Sequence, residues 1–68
     1  MAYQVIEHKV SSMRGYKNPI HTGRRTYHSR REVTKRVRWL RSEYGEDDVV
    51  NMHSKADPHT EIVYIRVF

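Results

Sequence analysis

One segment constrains the fold of this chain more than any other: Ser29 to Gly45 carries a helix start, an apolar stripe and a helix stop. Ser29 and Glu32 have the spacing of a capping box, so we expect Ser29 to accept from the amide of residue 32 and Glu32 to accept from the amide of Ser29. Gly45 can adopt the positive φ that often ends a helix. The pattern predicts a helix over about residues 30–44, and its single apolar stripe consists of Val33, Val37, Leu40 and Tyr44.

Three other segments predict β-strands, at residues 3–10, 48–53 and 61–68. Each is rich in β-branched or aromatic residues. Asp57 and Pro58 form a turn signal between the last two segments, which favours an antiparallel hairpin. The fold class that follows is α+β. We expect a single small domain with one amphipathic helix packed on a three-stranded, mainly antiparallel sheet, in the order β-loop-α-β-β.

Residues 11–28 follow neither a helical nor a strand period, and Gly15, Asn18, Pro19 and Gly23 interrupt them. A connection of this length is long for so small a domain. Two alternatives remain open: a mobile basic loop, or a short extra strand over residues 20–27 that pairs with the first strand.

Composition excludes several classes of protein. The 68 residues contain no cysteine, so neither a disulfide nor a thiolate zinc site can stabilise the fold. The longest wholly apolar run, residues 62–65, is too short for a membrane span or a signal-peptide core. We therefore expect a cytoplasmic protein without a signal peptide and without membrane association.

Positive charge is concentrated in the first two thirds of the chain. Residues 1–42 contain 11 basic and 2 acidic residues, whereas residues 43–68 contain 2 basic and 6 acidic ones. This asymmetry indicates one electropositive face, which attracts polyanions. The alternative is a solvated basic surface without a ligand.

Helical spacing predicts two basic ridges away from the apolar stripe. Like charges at this spacing repel one another, and bound phosphates would relieve that cost. The helix and the residues before it supply the candidate contacts Arg24, Arg25, Arg30, Arg31, Lys35, Arg38 and Arg41, and the preceding segment adds Arg14 and Lys17. We expect the contacts outside the helix to form a flexible arm.

Aromatic side chains interleave with these cations. Trp39 lies beside the apolar stripe, where it either covers the edge of the core or exposes its ring to a base or a partner protein. Tyr16 and Tyr27 are further candidate anchors in the basic segment, whereas we expect Tyr44 and Tyr64 to line the core.

The sequence contains no recognisable catalytic or metal-binding motif. Its five histidines are His8, His21, His28, His53 and His59, and none has metal-ligand spacing. His28 with His53 is the pair that a small ribonuclease would need as general acid and base, but no spacing supports it. We therefore expect no enzymatic activity, no cofactor and no metal.

Two functional hypotheses follow. The first is a small nucleic-acid-binding protein that contacts the phosphate backbone of DNA or RNA. The alternative is an inhibitor or adaptor, for example one encoded by a phage or virus, that docks its basic face on an acidic or nucleic-acid-binding groove of a larger host enzyme. In that case Trp39 and the edge of the third predicted strand would be anchors, and such an edge also permits a homodimer.

Overall fold

The chain folds into two layers, one helix over a four-stranded sheet. The computed structural model describes residues 2–12, 14 and 18–67. Its elements are β1 (Tyr3–Val10), β2 (His21–Tyr27), α1 (Arg30–Tyr44), a 3-10 turn (Glu46–Asp48), β3 (Val49–His53) and β4 (Thr60–Arg66). The predicted α+β class and the helix are confirmed, but the sheet has four strands instead of three.

The strand order is β2-β1-β4-β3. The central pair, β1 and β4, is parallel, while β2 and β3 pair antiparallel with their neighbours. The edges of the sheet are therefore β2 and β3. The third predicted strand is β4, which is hydrogen-bonded on both sides, so the expectation that it offers a free edge was wrong.

The additional strand is β2, which confirms the second alternative for residues 11–28. It pairs with β1 in continuous register from Tyr3 opposite Tyr27 to Lys9 opposite His21. Arg24 and Arg25 consequently lie on a strand and not on a flexible arm. Because an edge strand is only partly covered, its sequence lacks the apolar alternation that would have predicted it.

The core lies between the helix and one face of the sheet. Val5 on β1 and Val63 on β4 are fully buried, and successive side chains on a strand point to opposite faces. The buried cluster comprises Val5, Val33, Val37, Leu40, Val49, Val63 and Ile65. Tyr44 packs against it as predicted. Each fully buried aliphatic side chain stabilises the fold by about 1.5–3 kcal/mol.

Tyr64 does not line this core. It lies between Val63 and Ile65, which both face the helix, so the strand pleat directs Tyr64 to the opposite face. There its ring stacks on His8, with ring centroids 5.1 Å apart.

Both ends of the helix have the predicted caps, with one difference. The Ser29 hydroxyl accepts from the amide of Glu32 at 3.3 Å. The Glu32 carboxylate accepts from the amide of His28 at 2.9 Å, one residue beyond the expected partner. Gly45 has φ of 103°. Within the described residues, no helix has the length and apolar character needed to cross a membrane.

Candidate functional site

Three cations form a row on the side of α1 that faces away from the sheet: Arg31, Lys35 and Arg38, here called the cationic ridge. All three are exposed. Within the described residues, none of them has a side-chain hydrogen bond or an ion pair. The Glu32 carboxylate points towards the helix N-terminus, where it accepts a hydrogen bond from the amide of His28. The ridge therefore carries positive charge that no neighbouring carboxylate neutralises.

The other two predicted helix contacts, Arg30 and Arg41, are held by the fold. Arg30 donates to the carbonyl of Pro58 at 3.5 Å, and its guanidinium lies 5.4 Å from the centre of the Tyr3 ring. Arg41 donates to Asn51 Oδ1 at 2.5 Å. The fold therefore fixes the positions of these two guanidinium groups, which have partners that the cationic ridge lacks.

The predicted contacts before the helix lie partly on β2 and partly outside the described residues. Arg25 lies 3.5 Å from the Glu7 carboxylate, and the neighbouring Arg24 is exposed on the same edge strand. Arg14 is exposed. Tyr16 and Lys17 lie outside the described residues.

A cleft of about 510 Å³ lies between β2 and the helix, here called the β2-side cleft. Glu7 is buried in it and accepts two hydrogen bonds from Arg36, at 2.8 and 2.9 Å. The hydrogen bond to Glu7 raises the pKa of Arg36 above its ordinary value, although burial opposes the shift. The remaining lining includes Lys9, His21 and Gly23.

Trp39 stands at this cleft with 48% of its surface exposed. The Arg36 guanidinium lies 4.5 Å from the centre of its ring, a cation–π contact. Of the two alternatives for Trp39, the structure agrees with an exposed side chain and not with one that is buried at the edge of the core. Tyr27, the other described candidate anchor, is partly buried and packs against the core instead.

A second cleft, of about 360 Å³, lies on the opposite side of the helix beside β3. It contains a chain of hydrogen bonds in which Arg41 donates to Asn51 and Asn51 donates to Glu61 at 2.6 Å. The buried Glu61 also contacts His53 Nδ1 at 2.8 Å. The network supplies a buried carboxylate with hydrogen-bond partners and orients the His53 ring.

Sequence reasoning missed this network and the lining of the β2-side cleft. Both depend on strand pairing, since His53 lies directly opposite Glu61 on β4, and Gly23 lies opposite Glu7 on β1. Alternate residues along each strand share one face of the sheet, and this pattern would identify the groups that meet only once the register is known.

The face of the sheet away from the helix is partly apolar, and no helix of the described residues packs on it. Val50 and Met52 on β3 are 44% and 39% exposed. Ile62 lies beside Met52 on the neighbouring strand, and Ile6 lies beside Ile62. We call this surface the open sheet face, defined by Ile6, Val50, Met52 and Ile62.

No group of three or more histidine, aspartate or glutamate side chains is placed to hold a metal ion in the part of the chain that the structure describes. No protein-family model matches the sequence. Neither a curated protein nor a solved structure matches the chain.

Proposed function

We propose that this protein binds nucleic acid through the phosphate backbone, as a binding protein and not as an enzyme. The observation that carries the proposal is the cationic ridge, whose three side chains have no acidic partner among the described residues. The two buried carboxylates are already engaged by other side chains: Glu7 by Arg36, and Glu61 by Asn51. The cationic ridge thus retains uncompensated positive charge on one surface of the helix.

Repulsion along the ridge lowers the stability of the unbound protein, and a bound polyanion would offset this loss. Arg31 and Lys35 are four residues apart, and Lys35 and Arg38 three, so each pair repels by a few tenths of a kcal/mol. Phosphates lying along the ridge would replace this repulsion by attraction and release condensed counterions. Arginine also offers a planar fork that matches two phosphate oxygens.

The binding surface extends from the ridge to its neighbours. Arg30 and Arg41 flank it on the β3 side, and both are exposed enough to add charge while the fold fixes their positions. Arg25 lies on the β2 side. Arg14, Arg24 and Lys17 remain proposed secondary contacts, since they precede the helix in the sequence.

A matched pair of substitutions tests the proposal. Arg38→Gln removes one charge from the ridge, and Lys55→Gln removes one charge from the exposed β3–β4 connection. Both variants have the same net charge. We expect Arg38→Gln to weaken binding to a labelled oligonucleotide at low salt by severalfold more than Lys55→Gln does. Equal effects would show that only the net charge matters and would count against the ridge.

The open sheet face favours a second candidate, an inhibitor or adaptor that docks on a larger protein through this apolar face instead of its basic one. Exposed apolar side chains such as Met52 suit protein contacts better than phosphate contacts. A partner retained from a nuclease-treated lysate, and lost when Met52 is replaced by Lys but kept when Arg38 is replaced by Gln, would favour this candidate. The opposite pattern would exclude it.

A further inference from the structure

Gly23 is a glycine that the fold itself does not require. Its φ is not positive, and β2 pairs with β1 in continuous register, so neither a turn nor a bulge explains it. Close packing does not explain it either, because a Cβ at this position would meet nothing nearer than the His21 side chain at 3.9 Å. Glycine inside a strand is unfavourable, and a remaining reason for it is the close approach of a ligand.

We propose that the β2-side cleft binds one nucleotide unit, an aromatic base that carries a phosphate. The base would lie against Trp39 and over the gap at Gly23, and the phosphate would be held by Lys9, His21 and Arg25. The unit is either a free mononucleotide or one member of a single strand. In the second form the inference deepens the proposed function and rests on it.

The size of the cleft suits such a unit. Ligand sites in proteins usually measure about 300–1,000 Å³, and this cleft encloses about 510 Å³. A base inside a duplex cannot enter it, because both of its faces are stacked and its edge is paired. The shape therefore selects an unpaired nucleotide.

The charge of the cleft suits an anion. Glu7 is the acidic residue of its lining, and Arg36 and Arg25 already neutralise it. Lys9 and His21 have no hydrogen bond or ion pair from their side chains within the described residues. The cleft therefore retains positive charge after its internal pairs are complete.

The contact with Arg36 fixes the orientation of the Trp39 ring before a base stacks on it. Arg36 is fixed by two hydrogen bonds to Glu7, and the same guanidinium lies over the Trp39 ring at 4.5 Å. A ring oriented in this way loses little freedom when a base stacks on it. Trp39 also follows Lys35 by about one helical turn, so the cationic ridge and the cleft are adjacent along the helix.

Filling the cleft without changing its charge tests the inference. Gly23→Val adds a β-branched side chain that strands favour, in a space that the structure leaves open. Thr26→Val is the matched control, because Thr26 is exposed on the same strand and faces the other side of the sheet. Trp39 is the single tryptophan of the chain, so its fluorescence reports directly on the cleft.

The titrations use adenosine monophosphate, a single-stranded oligonucleotide and a duplex of the same sequence. We expect one or both of the unpaired ligands to quench Trp39 fluorescence, and Gly23→Val to weaken that binding about tenfold or more, the range of one stacked base. Thr26→Val should bind as the original protein does. If Gly23→Val does not fold, Lys9→Gln takes its place and Lys55→Gln is the control. Lys9→Gln should then weaken binding of the unpaired ligand more than Lys55→Gln does.

The outcomes separate this inference from the proposed function. If single strands bind in a way that requires Arg38, but Trp39 fluorescence is unchanged and Gly23→Val binds normally, the cleft is not a nucleotide site and the proposed function stands. If only the mononucleotide quenches the fluorescence, and Gly23→Val abolishes this quenching, the result supports nucleotide binding in the cleft but not strand binding on the cationic ridge. If neither unpaired ligand changes the fluorescence or binds, the inference is overturned.

Discussion

The guanidinium of Arg36 on the helix donates two hydrogen bonds to the carboxylate of Glu7 on β1, from Nε at 2.8 Å and from Nη2 at 2.9 Å. Both side chains are largely buried, with 16% and 10% of their surface exposed. The pair connects the two layers of the fold. It also shows that a cation of the arginine-rich helix can serve the structure, and that charge alone does not identify a binding residue.

Breaking this pair should destabilise the protein. Arg36→Met leaves the Glu7 carboxylate with only Arg25 as a partner, and an incompletely paired buried charge costs about 1–3 kcal/mol. Lys35→Met is the control, because Lys35 is exposed and contacts no carboxylate in the described residues. Urea unfolding should give a clearly lower free energy of unfolding for Arg36→Met than for Lys35→Met. Equal values would mean that the pair does not stabilise the fold.

Two glycines should respond differently to alanine. Gly45 has φ of 103° and ψ of 145°, a conformation that is unfavourable for any residue with a Cβ. Gly45→Ala should therefore lower the free energy of unfolding by about 1–3 kcal/mol. Gly23→Ala should leave it unchanged or raise it slightly, because the strand conformation suits alanine better than glycine. A similar loss in both variants would contradict the assigned backbone at Gly45.

The β3–β4 turn should contribute stability that acid removes. Hydrogen bonds from the Thr60 hydroxyl and from the His59 amide lower the pKa of Asp57 below its ordinary value of 3.8. A lowered pKa means that the contribution is present above the ordinary value and is lost as the pH falls through the lowered one. Asp57→Asn should remove this part of the acid dependence.

Asp47→Asn is the matched control, since Asp47 is exposed in the 3-10 turn and no hydrogen bond to its side chain is seen among the described residues. The free energy of unfolding measured from about pH 2 to pH 6 compares the two variants. If Asp57→Asn and Asp47→Asn change the slope equally, the turn does not depend on the Asp57 hydrogen bonds.

The helix could be predicted because all of its signals are local. Ser29, the apolar stripe and Gly45 lie within one continuous segment, and each acts through backbone geometry that depends little on the rest of the chain. Strand β2 could only be offered as an alternative. It covers little apolar surface, and what holds it is hydrogen bonding to β1, a partner that local sequence does not reveal.

The site was only partly predictable for the same reason. Helical spacing was enough to place Arg31, Lys35 and Arg38 on one exposed surface. The partners of Arg36 and Arg41 are Glu7 and Asn51, which are distant in sequence and depend on strand order. The face of Tyr64 was mispredicted because the strand pleat, and not the hydrophobicity of the side chain, decides it.

The dependence of binding on salt tests the cationic ridge most directly. For the original protein and a single-stranded oligonucleotide, a plot of the logarithm of the association constant against the logarithm of the salt concentration should have a negative slope of several units. Replacing Arg31, Lys35 and Arg38 together by Gln should reduce that slope by about two units, since each lost phosphate contact accounts for about 0.7. An unchanged slope in the triple variant, or no binding by the original protein at low salt, would contradict the account.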